Sequence, residues 1–218
     1  MKIILASASP RRSELLSQAG LAFEVIPSQV EEKMEGETPS EVVMSLARQK
    51  AGDVFDRLCQ SRARAQEPDR QGACVPKTAK QEDGQTGASF IVLGADTIVV
   101  CDGKRLGKPK DCEEAMEMLE MLGGRSHEVY TGVALYRFED GKISREAFAE
   151  CTKVSMYPIS KDQARWYVGT GEPMDKAGAY GIQGKGAVFI RGIEGDYNNV
   201  VGLPLAKVWH MIGQCEDV

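Results

Sequence analysis

The sequence predicts an α/β fold built on a mixed, twisted sheet with flanking helices. Apolar runs of strand length alternate with segments of helical period through the first half of the 218-residue chain. Two long extended runs, Ser126 to Phe138 and Ser144 to Met156, then face each other across Glu139-Asp140-Gly141-Lys142. That spacing is a hairpin signal and brings antiparallel strands into the sheet. A hydrophobic content of 42% at this length supports one substantial core, or two lobes around a cleft. No segment repeats another.

The elements follow in order. Lys2 to Ala6 reads as a buried strand, after which Ser9 as N-cap and Pro10 as first helical residue open a helix that closes at Gly20 in a left-handed cap. Phe23 to Pro27 is a second strand. After Thr38-Pro39, apolar residues at helical spacing (Val42, Val43, Leu46, Ala47, Val54) predict a helix over Ser40 to Arg57. Ser61 to Ala88 is dense in Gln, Gly, Pro and charge, with little to bury, so it cannot repay its ordering entropy. It is expected to be a mobile insertion within a single domain spanning 1–218. Phe90 to Ala95 is a buried strand, and Ile98 to Cys101 continues extended beyond the polar pair Asp96-Thr97. Asp102-Gly103 turns the chain, and Asp111 to Leu122 is an amphipathic helix closed by Gly123-Gly124. The hairpin comes next, then a helix from Ser160 to Val168 and a glycine-dense run from Gly169 to Gly186. A strand over Ala187 to Ile193 and a helix over Leu203 to Ile212 complete the chain.

Composition excludes several function classes. A net charge of -5 lacks the basic field that a nucleic-acid polymer requires, although a local basic pocket remains compatible with it. No uninterrupted apolar stretch is long enough for a bilayer, and the N-terminus opens on a charged strand rather than a signal peptide. A cytoplasmic protein without a membrane partner is expected. The six cysteines form no CxxC pair and no histidine stands at metal spacing, so neither a zinc site nor a redox motif is indicated.

Arg11 and Arg12 fall in the first turn of the first helix, where exposed amides and the macrodipole favour negative charge. Together with the hydroxyls of Ser7 and Ser9, two guanidinium forks there suit a polyphosphate. Alternatively they pair with local acids such as Glu14, or face solvent. Asp96, at the end of a buried strand beside Thr97, could hold a divalent cation or deprotonate water; a turn-capping aspartate is the other reading. Glu31-Glu32 could add a metal ligand or form a solvated charge run. Lys50, Lys108 and Lys176 lie in segments where backbone and ammonium could approach a phosphate together, Gly107-Lys108-Pro109 being the most constrained. Glu172 to Gly184 suits a loop that closely approaches a planar ligand, with Gln183 offering a donor and an acceptor to a base edge. A series of tight turns is the alternative. His127 reads as structural and His210 as helix surface.

Taken jointly, these segments resemble the Maf family of nucleoside triphosphate pyrophosphatases. The resemblance rests on Ala6-Ser7-Ala8-Ser9-Pro10-Arg11-Arg12 with Leu15-Leu16, Leu93-Gly94-Ala95-Asp96-Thr97, Gly107-Lys108-Pro109, Ser126-His127-Glu128-Val129, Glu172 to Gly184, and Asn199-Val200-Val201-Gly202-Leu203-Pro204. The motifs run nearly end to end, and Ser61 to Ala88 is the main departure. The resemblance implies a two-lobed fold around a central cleft, related to inosine triphosphate pyrophosphatases, commonly as a homodimer. It also implies hydrolysis of a nucleoside triphosphate to monophosphate and pyrophosphate with a divalent cation, Mg²⁺ or Mn²⁺. By motif, Asp96 would accept the proton of the attacking water, and Arg12, Thr97 and Gln183 would discriminate substrates. Arg11, Arg12, Lys50 and Lys108 are expected to hold phosphates, and Glu32 and Asp96 the metal. The form Met174 to Gly184 is similar to the subgroup acting on dTTP and UTP. A nucleotide-binding regulator of cell division without turnover is the rival expectation.

Overall fold

The computed structural model describes residues 1–66 and 89–213. Seven strands form a single mixed sheet: β1 (Lys2–Leu5), β2 (Phe23–Val25), β3 (Phe90–Cys101), β4 (Lys104–Leu106), β5 (Ser126–Glu139), β6 (Lys142–Met156) and β7 (Ile190–Glu194). Their order is β2-β1-β3-β5-β6-β7. β4 pairs with β3 off this path. β1 runs parallel to both β2 and β3, and all other pairings are antiparallel.

β5 and β6 are joined by a two-residue turn, with Glu139 opposite Lys142 and positive φ at Asp140 and Gly141. That geometry matches the twist of the flanking strands. Helix α1 (Pro10–Gln18) places Leu15 and Leu16 on one face of the sheet, while α2 (Pro39–Gln66) covers the other. Helices α3 (Cys112–Leu122) and α4 (Lys161–Val168) lie on the α1 face, capped by Asp111 and by a capping box at Ser160. Two short helices, α5 (Tyr197–Val201) and α6 (Leu205–Gly213), end the described chain. No helix among the described residues is long and apolar enough to cross a membrane.

On the α1 face the core divides in two. One cluster joins β1, α1 and α6 around Leu5, Leu16, Leu93 and Val208; the other joins α3 and α4 around Leu119, Leu122, Tyr167 and Phe189. Between them the sheet carries polar residues, Thr97 and Thr131, directly opposite each other in register. Two apolar lobes meeting over a polar seam leave a cleft.

Four expectations are corrected. β3 is one strand through Asp96 and Thr97, because β5 pairs with it without a break, so Asp96 is not a strand-end residue. Helix α2 continues past Arg57 into the segment assigned to the insertion, where the Arg62 guanidinium stacks over the Phe90 and Phe138 rings, 4.9 and 5.4 Å from their centroids. The remainder of that segment, 67–88, lies outside the described residues. The strand predicted from Ala187 starts at Ile190, since Gly184–Phe189 form a 3₁₀ turn. The predicted final helix begins at Leu205, because Gly202, at φ 131°, and Pro204 separate it from α5, a helix that periodicity missed.

Candidate active site

β1 is flanked by β2 and β3, and the connecting helices α1 and α2 leave to opposite faces, so the crevice beyond its carboxyl end is the natural ligand position of an open α/β sheet. A cleft of about 610 Å³ lies there. β1 reaches only Leu93 of β3, and β4 pairs only from Val99 onward. Asp96 and Thr97 therefore stand along the stretch of β3 between these partners, inside the cleft.

Alternation along β3 sends the two side chains to opposite faces. Asp96 faces α2, where Lys50 Nζ lies 2.5 Å from its Oδ1 and 3.0 Å from Glu32 Oε1. This approach depends on two glycines. A Cβ at Gly94 would come within 2.3 Å of the Ala47 carbonyl oxygen, and one at Gly132 within 2.1 Å of that of Val43, so α2 lies against bare sheet backbone. Asp96 Oδ2 has no partner among the described residues.

Thr97 faces the other side, where Arg12 is buried. The Arg12 guanidinium donates to the Gly202 carbonyl at 2.9 Å, Ser7 Oγ at 3.0 Å and Thr97 Oγ1 at 3.1 Å. Burial pulls its pKa below the usual arginine value, against the attraction of Asp96. Thr131 gives its single proton to the Asn199 carbonyl at 3.0 Å, so Thr97 must donate to Thr131 across the 2.9 Å contact between them. A directed chain thus runs from Arg12 through both threonines to α5. Arg11 bonds neither Glu14 nor solvent alone: its Nη1 lies 2.7 Å from Asp175 Oδ2, across the cleft. Partial burial works against ionisation of Asp175, but hydrogen bonds and charge from Lys176 and Arg11 hold its pKa at about 2.

The α1 N-terminus lines the cleft with no acidic residue in its first turn and no hydrogen bond from the Ser9 side chain to its amides. Those N–H groups and the Ser9 hydroxyl are available to an anion. Lys108 and Gln183 also line the cleft, and neither side chain has a partner among the described residues. Lys176 instead braces its own loop, donating to the Glu172 carbonyl at 2.6 Å and to Asp175. The glycine-dense segment is a series of tight 3₁₀ turns, and part of it forms a wall of the cleft. His127 is buried, its Nε2 2.7 Å from the Tyr180 hydroxyl.

The site candidates Ser7, Ser9, Arg11, Arg12, Glu32, Lys50, Asp96, Thr97, Lys108, Lys176 and Gln183 therefore border one cleft, and Glu31 does not line it. Reading by residue missed Asp175, Thr131 and Asn199, which engage Arg11 and Thr97. Asn199 sits in a motif that carries the family resemblance, and this was its only signal. The carboxylates of Asp96 and Glu32 converge on one point, held by an ammonium in this structure. No group of three or more candidate metal ligands occurs among the described residues. Two carboxylates suit a hard cation whose other ligands are waters and substrate phosphates, as for Mg²⁺.

Comparison with known proteins agrees with the motifs. A protein of Agathobacter rectalis named dTTP/UTP pyrophosphatase is 45% identical over 209 residues, covering 95% of this chain and 94% of its own. Proteins of the same name from Bacillus cytotoxicus and Carboxydothermus hydrogenoformans are 45% and 44% identical over 217 and 209 residues, covering 96% of their own lengths. Among solved structures, the Staphylococcus aureus Ham1 protein covers 72% of the chain at 12% identity and a TM-score of 0.33, a likeness too slight to carry an argument. The family described as Maf-like protein matches residues 2–215, and the chain belongs to it.

Proposed function

We propose that this protein is a nucleoside triphosphate pyrophosphatase that hydrolyses dTTP and UTP to the monophosphate and pyrophosphate. The observation that carries this reading is the placement of the Asp96–Lys50–Glu32 cluster in the same cleft as the open α1 N-terminus and an unpartnered Gln183. The relatives' shared name points to the same substrates.

The phosphates sit against the α1 amides, Ser9, Arg11 and Lys108. Asp96 accepts a proton from the water that attacks the α-phosphorus; Oδ2 is the oxygen available for it, since Oδ1 is held by Lys50. Lys50 orients that carboxylate and neutralises phosphate charge. A divalent cation, Mg²⁺ or Mn²⁺, held by Asp96 and Glu32 would supply further charge neutralisation and lower the pKa of bound water. Arg12, its guanidinium bonded to three separate segments of the chain, keeps Thr97 and the α1 N-terminus in register. Gln183 offers its carboxamide to the O4/N3–H edge of uracil or thymine, and a base that leaves such groups unsatisfied is rejected. Positioning and charge stabilisation dominate phosphoryl transfer, consistent with many cations around few acids.

A nucleotide panel assayed for pyrophosphate with added Mg²⁺ or Mn²⁺ tests the reading. UTP and dTTP should turn over well ahead of ATP and GTP. Release of orthophosphate alone would indicate a terminal phosphatase, and binding without turnover a regulator. Assembly as a homodimer, which the family resemblance implies, is checked by light scattering, and the cytoplasmic location expected from composition by cell fractionation.

A further inference from the structure

The Gln183 side chain has no partner among the described residues and extends from one of the most glycine-rich stretches of the chain. Such a carboxamide discriminates between bases only if its backbone is held still. The backbone on both sides is held by one pair of residues. Glu172 Oε2 accepts from Lys185 N–H at 3.0 Å, and Oε1 accepts from Gly186 N–H at 3.2 Å and from the Tyr167 hydroxyl at 2.9 Å. Tyr167 Oη in turn accepts from Gly181 N–H at 3.1 Å. Tyr167 is fully buried on α4, with its ring edge-on to Phe189, so the clamp is anchored in the core of one lobe.

The glycines are what let the backbone reach it. A Cβ at Gly186 would lie 2.5 Å from the Tyr167 oxygen, and one at Gly184, whose φ is +67°, 2.9 Å from Glu172 Oε2. Partial burial disfavours the charged carboxylate, yet the Lys185 amide, the Tyr167 hydroxyl and the Gly186 amide bring the Glu172 pKa below the ordinary value. The ionised form, an acceptor at both oxygens, is the one the loop is built around.

We infer that Glu172, acting with Tyr167, is a positioning residue for base selection, fixing the Gly181–Gly186 backbone so that Gln183 presents its carboxamide to the base. The inference rests on the reading of Gln183 as the base-contacting residue. Neither Glu172 nor Tyr167 lines the cleft, so any effect must pass through the loop.

The test compares kcat/KM for UTP and ATP, with Mg²⁺, in Gln183→Ala, Glu172→Gln, Tyr167→Phe and the double variant Glu172→Gln/Gln183→Ala. Glu172→Gln keeps the shape but loses an acceptor and the charge, and should lower the UTP-to-ATP ratio by about 10-fold, through KM more than kcat. Tyr167→Phe should move the ratio in the same direction by less. The double variant should be no less selective than Gln183→Ala alone, because both changes act on one contact. If Gln183→Ala lowers the ratio while Glu172→Gln and Tyr167→Phe leave it unchanged, the clamp has no part in selection. A uniform loss on both nucleotides likewise reduces Glu172 to a structural residue. An unchanged ratio in Gln183→Ala overturns the base-contact reading, and the clamp's role with it. If Glu172→Gln does not fold, Tyr167→Phe, which removes only a hydroxyl from the core, makes the same comparison.

Discussion

Asp96 is where the chemistry concentrates, and its neighbours specify what a substitution does. Asp96→Asn keeps the shape but removes the proton acceptor and one of the two carboxylates that face Lys50. Turnover of UTP should fall about 10²-fold or more, while nucleotide binding, measured calorimetrically, persists. Near-normal pyrophosphate release from this variant would remove Asp96 from the mechanism. His127 carries a separate consequence. It is 2% exposed, and burial holds its pKa down to about 4, against an ordinary 6.5. Between those values the unfolded chain binds the proton and the folded one does not, so stability is complete above about pH 6.5 and falls as pH drops toward 4. The total is about 3 kcal/mol. Urea unfolding of His127→Phe should depend less on pH across that window than the parent, whatever its stability at pH 7. Equal slopes would show that His127 is not held neutral.

At the scale of elements, the site depends on how closely α2 approaches the sheet. Val42, Val43, Leu46 and Ala47 are all buried, and the helix backbone meets Gly94 and Gly132 with no side chain between. Gly132→Ala would drive a Cβ into the Val43 carbonyl, which no rotamer change relieves. The variant should lose about 1–3 kcal/mol or more in denaturant unfolding. The surviving folded fraction should show reduced kcat per active molecule, because Lys50 rides on the displaced helix. Wild-type stability would mean that α2 can shift without cost. The helical period predicted α2 and its buried face, but ended the helix at Arg57 because the apolar pattern stops and the segment from Ser61 onward offers little to bury, although Arg62 within it is held against the sheet. Its guanidinium lies over two aromatic rings from distant strands, and that burial by stacking leaves no trace in a hydropathy pattern.

Over the whole molecule, Arg12 links segments far apart in the chain: the loop after β1, the middle of β3 and the link between α5 and α6. Its removal leaves the Gly202 carbonyl short of a donor and frees Thr97. Arg12→Ala and Thr97→Val should be non-additive in stability, with a coupling of about 0.5–3 kcal/mol in a double-mutant cycle. Strict additivity would mean that the buried guanidinium does not act through Thr97. The loss of kcat/KM in Arg12→Ala should extend to every triphosphate, since the α1 N-terminus loses its register.

Local patterning alone determined the α/β class, the hairpin, most helices and their caps, because these depend on period, turn residues and capping side chains within a few positions of one another. Several candidate site residues were legible as well, unusual for their local setting: arginines at a helix start, an acid at the end of an apolar run, a carboxamide among glycines. Glu32, Lys50 and Lys108 stood out only in the company of these and of the family motifs. What only the tertiary structure decided was their relations. That Arg12 bonds Thr97, that Arg11 meets Asp175, and that Glu172 holds the loop of Gln183 are contacts between segments, selected by strand order and by the backbone approach that glycines allow. Hydrogen bonds are short-ranged and directional, so which partners meet is settled only when the sheet has assembled and the two lobes have closed on its polar seam.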